Sequence, residues 1–359
     1  MWAMIVKEFR QLRRDRRTLA MLIVLPVLLL VVFGYAASFN VDTIPTTVVG
    51  PQAQSFADSL KAPFRVDKID PSAGRSEAEI ELRDGNTPTA FVTTASGTTT
   101  VLLDGSELFT ATAAKGALAS ATGQSGPPPK VEVLYNPDLA TSAVMIPGLA
   151  GLVLLFVGTL ITSLGVVRER QAGTLEQLAV MPLRPRDVFL GKIAPYFIVA
   201  SLDLVIILTV GVTLFNVPFN GSWWVLALGS LLFLFVTLGV GVLISIVSQN
   251  QGQAIQLAIM SALPQIILSG LIFPLESMAA GVRWISYVLP LTYFTQISRG
   301  VMLRGAPISA LWEPFLFLSL LAVVVVAAAT LRFRRQLAPA PSRRHRGAAA
   351  ELAGAGAAR

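Results

Sequence analysis

Residue types that make or break covalent bonds are nearly absent from this chain. There is no cysteine, and the single histidine, His345, lies in a basic tail. Thiolate nucleophiles, Cys- or His-ligated metals and a Ser-His-Asp arrangement therefore have no materials. A Gly-x-x-x-x-Gly-Lys-Ser/Thr phosphate loop is missing too: Gly191-Lys192 lacks both the upstream glycine spacing and a following hydroxyl residue. What stands out instead is a charged island between two long apolar runs, Val-Val-Arg-Glu-Arg-Gln-Ala-Gly-Thr-Leu-Glu-Gln-Leu-Ala-Val-Met-Pro-Leu over 166–183. Its chemistry is that of docking. Gly173 interrupts the run, Thr174 is placed to N-cap a short helix over 175–180, and Pro182 ends it. Leu175 and Leu178 then share a helix face, ringed by Glu169, Arg170, Glu176 and Gln177. An apolar knob with a charged rim suits a protein interface. Periodicity alone leaves open a solvated loop whose leucines only touch a bilayer.

Other polar groups sit inside apolar runs, where they are costly. Asp203 falls midway along one such run, so it lines a transport path, carries a proton, or is held as a paired structural residue. Gln256 and Gln265 recur along another, suited either to a path or to hydrogen bonds between helices. Glu276 and Arg283 lie between Pro274 and Pro290, where they form an outer gate or stabilise a hairpin.

The elements that must position these residues follow from composition. Of 359 residues 53% are hydrophobic and only 14% charged, which points to an integral membrane protein. The net charge of +7 is clustered beside apolar runs, a pattern of membrane orientation that argues against a nucleic-acid partner. Six segments approach the roughly 20 residues needed to cross a bilayer: 18–37, 143–167, 188–215, 223–247, 254–273 and 311–331. The fifth is interrupted by Gln256, Pro264 and Gln265. With six spans, three basic clusters fall on one side: Lys7 to Arg17, Arg168 to Lys192, and Arg332 to Arg346. The positive-inside rule makes that side, and both termini, cytoplasmic. Trp223, Trp224 and Trp312 then mark outer span ends.

Residues 1–17 read as an amphipathic interfacial helix, and 333–359 as a basic cytoplasmic tail. A cleaved signal peptide is the rival reading of the N-terminus, but its apolar run exceeds the roughly 7–15 residues of a signal core. Between the first two spans, residues 38–142 carry twelve acidic and seven basic residues. Strand-like stretches (46–49, 64–69, 90–94, 99–103, 131–134) alternate with helix-like ones (52–61, 72–83, 107–120), which predicts a small α/β domain. The fold expected is an α-helical integral membrane protein with six transmembrane helices. A small α/β extracytoplasmic domain is inserted between the first and second.

Four motifs in order carry a family resemblance. They are Lys7-Glu8-Phe9-Arg10-Gln11-Leu12-Arg13-Arg14-Asp15 with Leu25-Pro26-Val27; the segment 168–183; Ser269-Gly270-Leu271-Ile272-Phe273-Pro274; and Leu289-Pro290-Leu291-Thr292-Tyr293. Together they resemble the ABC transporter permeases of the type-2 export class. Gln171 departs from the glutamate common there. The resemblance implies that 168–183 is a cytoplasmic coupling segment and 274–305 an outer re-entrant region. It also implies a permease working as a dimer, with a second copy or a paralogue, on separate ATPase subunits. ATP and Mg would then be bound by the partner chain, with no cofactor on this one, in a bacterial inner membrane. The expected function is ATP-driven outward transport of an amphipathic drug-like or lipid-like compound. A membrane-anchored sensor or scaffold, whose external domain binds a ligand without transport, is the alternative.

Overall fold

The computed structural model describes residues 27, 41, 43–121, 129–173 and 185–337. The expected amphipathic helix 1–17, first span 18–37 and tail beyond residue 337 lie outside these apart from Val27.

Residues 44–134 fold as the α/β domain. Strands β1 (Ile44–Val49), β2 (Phe64–Asp70), β3 (Thr89–Thr93), β4 (Thr99–Asp104) and β5 (Lys130–Leu134) form one sheet in the order β2-β1-β3-β4-β5. β1 runs parallel to β2 and β3, the β3–β4 hairpin is antiparallel, and β4 runs parallel to β5. Helices α1 (Ala53–Ser59), α2 (Arg75–Asp84) and α3 (Leu108–Ala121) connect them. Side chains alternate across a strand, so neighbours serve opposite layers. Val48, Phe91, Val101 and Leu103 pack with Ala53, Ala57, Ala111 and Ala114 of α1 and α3. Val49, Ala90 and Leu102 meet Ala78 and Leu82 of α2 on the other face.

The chain then enters a helical bundle at α4 (Thr141–Phe156), which continues through a π-helical turn (Val157–Ile161) into α5 (Thr162–Gln171). These 31 residues form one rod, about 46 Å long at 1.5 Å per residue. One end touches the α/β domain and the other reaches the charged island. α6 (Pro185–Leu214), α7 (Trp223–Val247) and α11 (Trp312–Leu337) run the length of the bundle. Between α7 and α11 lie α8 (Gln251–Leu268), a short 3-10 turn (Leu275–Ser277), α9 (Ala280–Ser286), and α10 (Pro290–Arg299), which ends in a second π turn (Gly300–Arg304).

Among the described residues, four helices are long and apolar enough to cross a membrane: Thr141–Gln171, Ala194–Leu214, Trp223–Val247 and Trp312–Arg332. The fifth expected span is shorter than read from sequence. α8 stops at Leu268 because Gly270 takes a left-handed conformation (φ +81°), and its 18 residues cover about 27 Å. Its glutamines and Pro264 dilute an already short apolar run.

α10 sits at the centre of the bundle, with nine of its ten residues buried. Phe294 stacks on Phe233 at 4.6 Å and lies against Gly151, where a Cβ would clash with its ring. Gly158 meets Thr237 as closely, and Gly229 meets Ile297. Small residues thus set the spacing of α4, α7 and α10, as expected where burial in lipid gives no hydrophobic drive between helices.

Candidate functional site

The charged island begins at the bundle end opposite the α/β domain. The apolar face of α5 is anchored there: Val167 packs with Ile244, Ala254 and Ala258, and Val166 with Leu238, Val242 and Ala329. Arg168 faces solvent, while Glu169 and Arg170 are half-buried. The last turn closes through the N–H of Ala172 to the Arg168 carbonyl (3.0 Å) and that of Gly173 to the Arg170 carbonyl (3.2 Å). Gly173 is left-handed (φ +74°) with open space around its Cα, so glycine ends the helix at little cost. Thr174, Leu175, Glu176, Gln177, Leu178 and Pro182 lie outside the described residues. The segment they form joins the end of α5 to the start of α6 at Pro185.

Two side-chain contacts tie this exit point to the α7–α8 turn. The Arg170 guanidinium donates to the Ser248 carbonyl, and Gln251 donates through Nε2 to Oε1 of Gln171 at 3.1 Å. The turn is itself rigidified. Asn250 caps α8 by accepting from the Gln253 N–H (2.9 Å), and Gln253 Oε1 accepts from the Gln249 N–H (2.9 Å). Sequence reasoning missed Ser248 and Gln251 as partners of the island. The Asn250-x-x-Gln253 spacing signals the cap, but nothing in one sequence signals which helix end it faces.

The candidate path residues are not brought together within the chain. Asp203 is half-buried on α6, beside the inward stripe Ala200, Leu204 and Leu208, and makes no hydrogen bond or ion pair among the described residues. Gln256 and Gln265 lie on α8, which packs on α4, α5, α7 and α10 rather than substantially on α6. Gln265 is buried, and its amide donates to the Ser261 carbonyl at 3.3 Å, within its own helix. Its Oε1 has no partner among the described residues. Glu276 falls in the 3-10 turn, and Arg283 on α9 donates to the Met278 carbonyl at 3.1 Å.

At the opposite end the domains are joined by charge. Arg299, fully inside the bundle, donates to the carbonyls of Val144 (3.3 Å), Gly270 (3.2 Å) and Leu271 (3.0 Å). It thereby ties the start of α4 to the break after α8. Arg304 reaches out of the second π turn to Asp104 of β4 at 3.4 Å, with the Asp104 side chain only 1% exposed. These residues are 200 positions apart, and no sequence pattern announces the pair. Among the described residues no group of three or more His, Asp or Glu side chains is placed to hold a metal.

Comparison with known proteins agrees with this architecture. The family model described as "ABC-2 family transporter protein" matches residues 16–331. The chain is 30% identical to Escherichia coli "Probable multidrug ABC transporter permease YbhS" over 93% of its own length and 97% of that relative. It is 28% identical to "Probable multidrug ABC transporter permease YbhR" of the same organism, over 94% of this chain and 99% of that one. It is 32% identical to Escherichia coli "Inner membrane transport permease YhhJ" over 49% of this chain and 48% of the relative.

Proposed function

We propose, for a chain that belongs to the ABC-2 transporter family, that it is the membrane subunit of an exporter driven by ATP hydrolysis on a separate partner chain. The cargo is an amphipathic compound, drug-like or lipid-like, moved outward across a bacterial inner membrane. The observation that carries this reading is the exit of the charged island at Gly173. A helix end pinned to α7 and α8 through Arg170 and Gln171 closes a 31-residue rod at the point where the chain runs on into residues 174–184. Force applied to that segment is delivered to α4–α5, and through Val166 and Val167 to α7, α8 and α11.

In this reading Glu169, Arg170, Gly173, Thr174, Leu175, Glu176, Gln177, Leu178 and Pro182 form or support the docking surface. Asp203, Gln256 and Gln265 are the path candidates, and Glu276 with Arg283 the outer gate. Since α6 and α8 are separated within a protomer, a path using both needs a second permease copy or paralogue. The wide apolar faces of α6 (Ile198, Leu202, Val205) and α11 (Leu320, Val323, Val324) suit such a partner or lipid. The α/β domain faces out, and Arg168, Arg170 and Arg332 face the cytoplasm.

Affinity purification of the tagged chain from its native membrane tests the assignment. A nucleotide-binding subunit with ATPase activity should co-purify. A chain that purifies alone, with ligand binding confined to the α/β domain, would favour the sensor or scaffold.

A further inference from the structure

A cavity of about 340 Å³ lies where the α/β domain meets the bundle, between the loop after α2, the break after α8, and the starts of α3 and α11. A second, of about 160 Å³, opens on the α/β side. Arg304 lines both. Its side chain is only 10% exposed, yet its one carboxylate contact among the described residues, Asp104, is long at 3.4 Å. The other Asp104 oxygen already accepts the Ser106 N–H at 2.8 Å. Nε of Arg304 is buried with no acceptor among the described residues. Arg299 opens on the same cavity and spends its donors on three neutral carbonyls, with no carboxylate in ion-pair range among the described residues.

Two guanidinium groups thus share a wall with one carboxylate in direct contact. Glu107 acts on Arg299 from a distance and offsets its charge, which leaves Arg304 as the under-served cation. Of the other acids, Asp84 is held by Arg83 at 2.9 Å and Glu313 is exposed at the rim. A buried guanidinium N–H left without an acceptor is costly, and that of Arg304 calls for an oxygen. Pro274, Leu275, Leu311 and Trp312 add apolar surface to a lining that is otherwise mostly polar. We propose that this junction is a binding site for an amphipathic ligand with an anionic headgroup, whose phosphate or carboxylate oxygens are taken by Arg304. A guanidinium fork matches such groups in two-pronged geometry. Asp104 competes with the ligand for the same cation.

The inference gives a ligand class to the exporter proposed above and rests on that reading. Binding is measured here without ATP or an ATPase, so its failure is distinct from a failure of coupling. Trp312 provides the signal. The full chain in nanodiscs is titrated with dodecyl phosphate, inorganic phosphate and dodecyltrimethylammonium while tryptophan fluorescence is recorded. Dodecyl phosphate should give a saturable change that Trp312→Phe removes. Arg304→Gln should weaken it at least about tenfold, the scale of a lost hydrogen bond to a charged group. Asp104→Asn should tighten it by removing the competitor. Arg304→Lys keeps the charge without the fork and should bind weakly while remaining folded, should the Gln variant not fold. Equal binding of the cationic amphiphile, or an unchanged Arg304→Lys, would overturn the proposal. So would parallel weakening in Asp104→Asn and Arg304→Gln, which marks a purely structural ion pair. Inorganic phosphate binding as tightly as dodecyl phosphate would replace the amphipathic ligand with a free anion.

Discussion

Arg170 and Gln171 show how single side chains convert a helix end into a fixed point. Each reaches about eighty residues along the chain to the α7–α8 turn, one to the Ser248 carbonyl and one to Gln251. Arg170→Met keeps the apolar stem and removes the charged donor, at a cost of about 1 kcal/mol for a half-exposed hydrogen bond. The subunit should still insert, and ATP-driven efflux should fall several-fold; full efflux in proteoliposomes would mean that the tie is not needed for force transfer. Gly151 makes the opposite kind of contact, since it is defined by the side chain it lacks. Gly151→Val drives a branched side chain against Phe294 and should lower stability in detergent by about 1–3 kcal/mol, visible as a lower thermal midpoint. Much at this scale could be read from residue order. Gly173 as the break after the second apolar run is where the helix ends, left-handed. The pairing of Arg304 with Asp104 could not be read, because it depends on two domains meeting rather than on any local pattern.

Elements were legible where a period was clear and obscured where burial replaced it. The five strands of the α/β domain begin within two residues of the stretches read from β-branched and alternating residues. α10 is different. It is short, carries Thr292, Thr295, Ser298 and Arg299, and falls in the stretch 274–305 that the family resemblance makes an outer re-entrant region; it is the buried centre of the bundle. Its threonines are satisfied locally: Thr292 donates to the Ser286 carbonyl (2.8 Å) and Thr295 to that of Thr292 (2.8 Å). The α/β domain has a pH dependence of its own. Arg75, and then Lys130, hold the Glu132 carboxyl at about 2, below its ordinary 4.5. A depressed acid stabilises the fold above its unfolded pKa, and that stabilisation is lost as pH falls from about 4.5 through about 2. The thermal midpoint should therefore drop across that window, and Glu132→Gln should flatten the drop. An identical slope in the variant would assign the acid sensitivity to other carboxylates.

At the scale of the molecule, one rod joins two working ends. α4–α5 starts beside the α/β domain, where Arg299 grips the Val144 carbonyl, and finishes at the charged island. The ends differ in what they offer: a polar cavity at one, the charged island proposed for docking at the other. Because the chain has no cysteine, single cysteines can map its orientation without background. A cysteine at Asp58 should react with a membrane-impermeant maleimide on intact cells, and one at Gln171 only after permeabilisation; the reverse would invert the topology. The central claim is that residues 168–183 transmit the work of a partner ATPase into the bundle. It is tested most directly by Leu178→Asp, alongside Thr174→Pro, in proteoliposomes holding the chain and its co-purified ATPase. ATP-driven efflux should be abolished while insertion and expression stay at wild-type levels. Unchanged efflux in these variants would contradict the account.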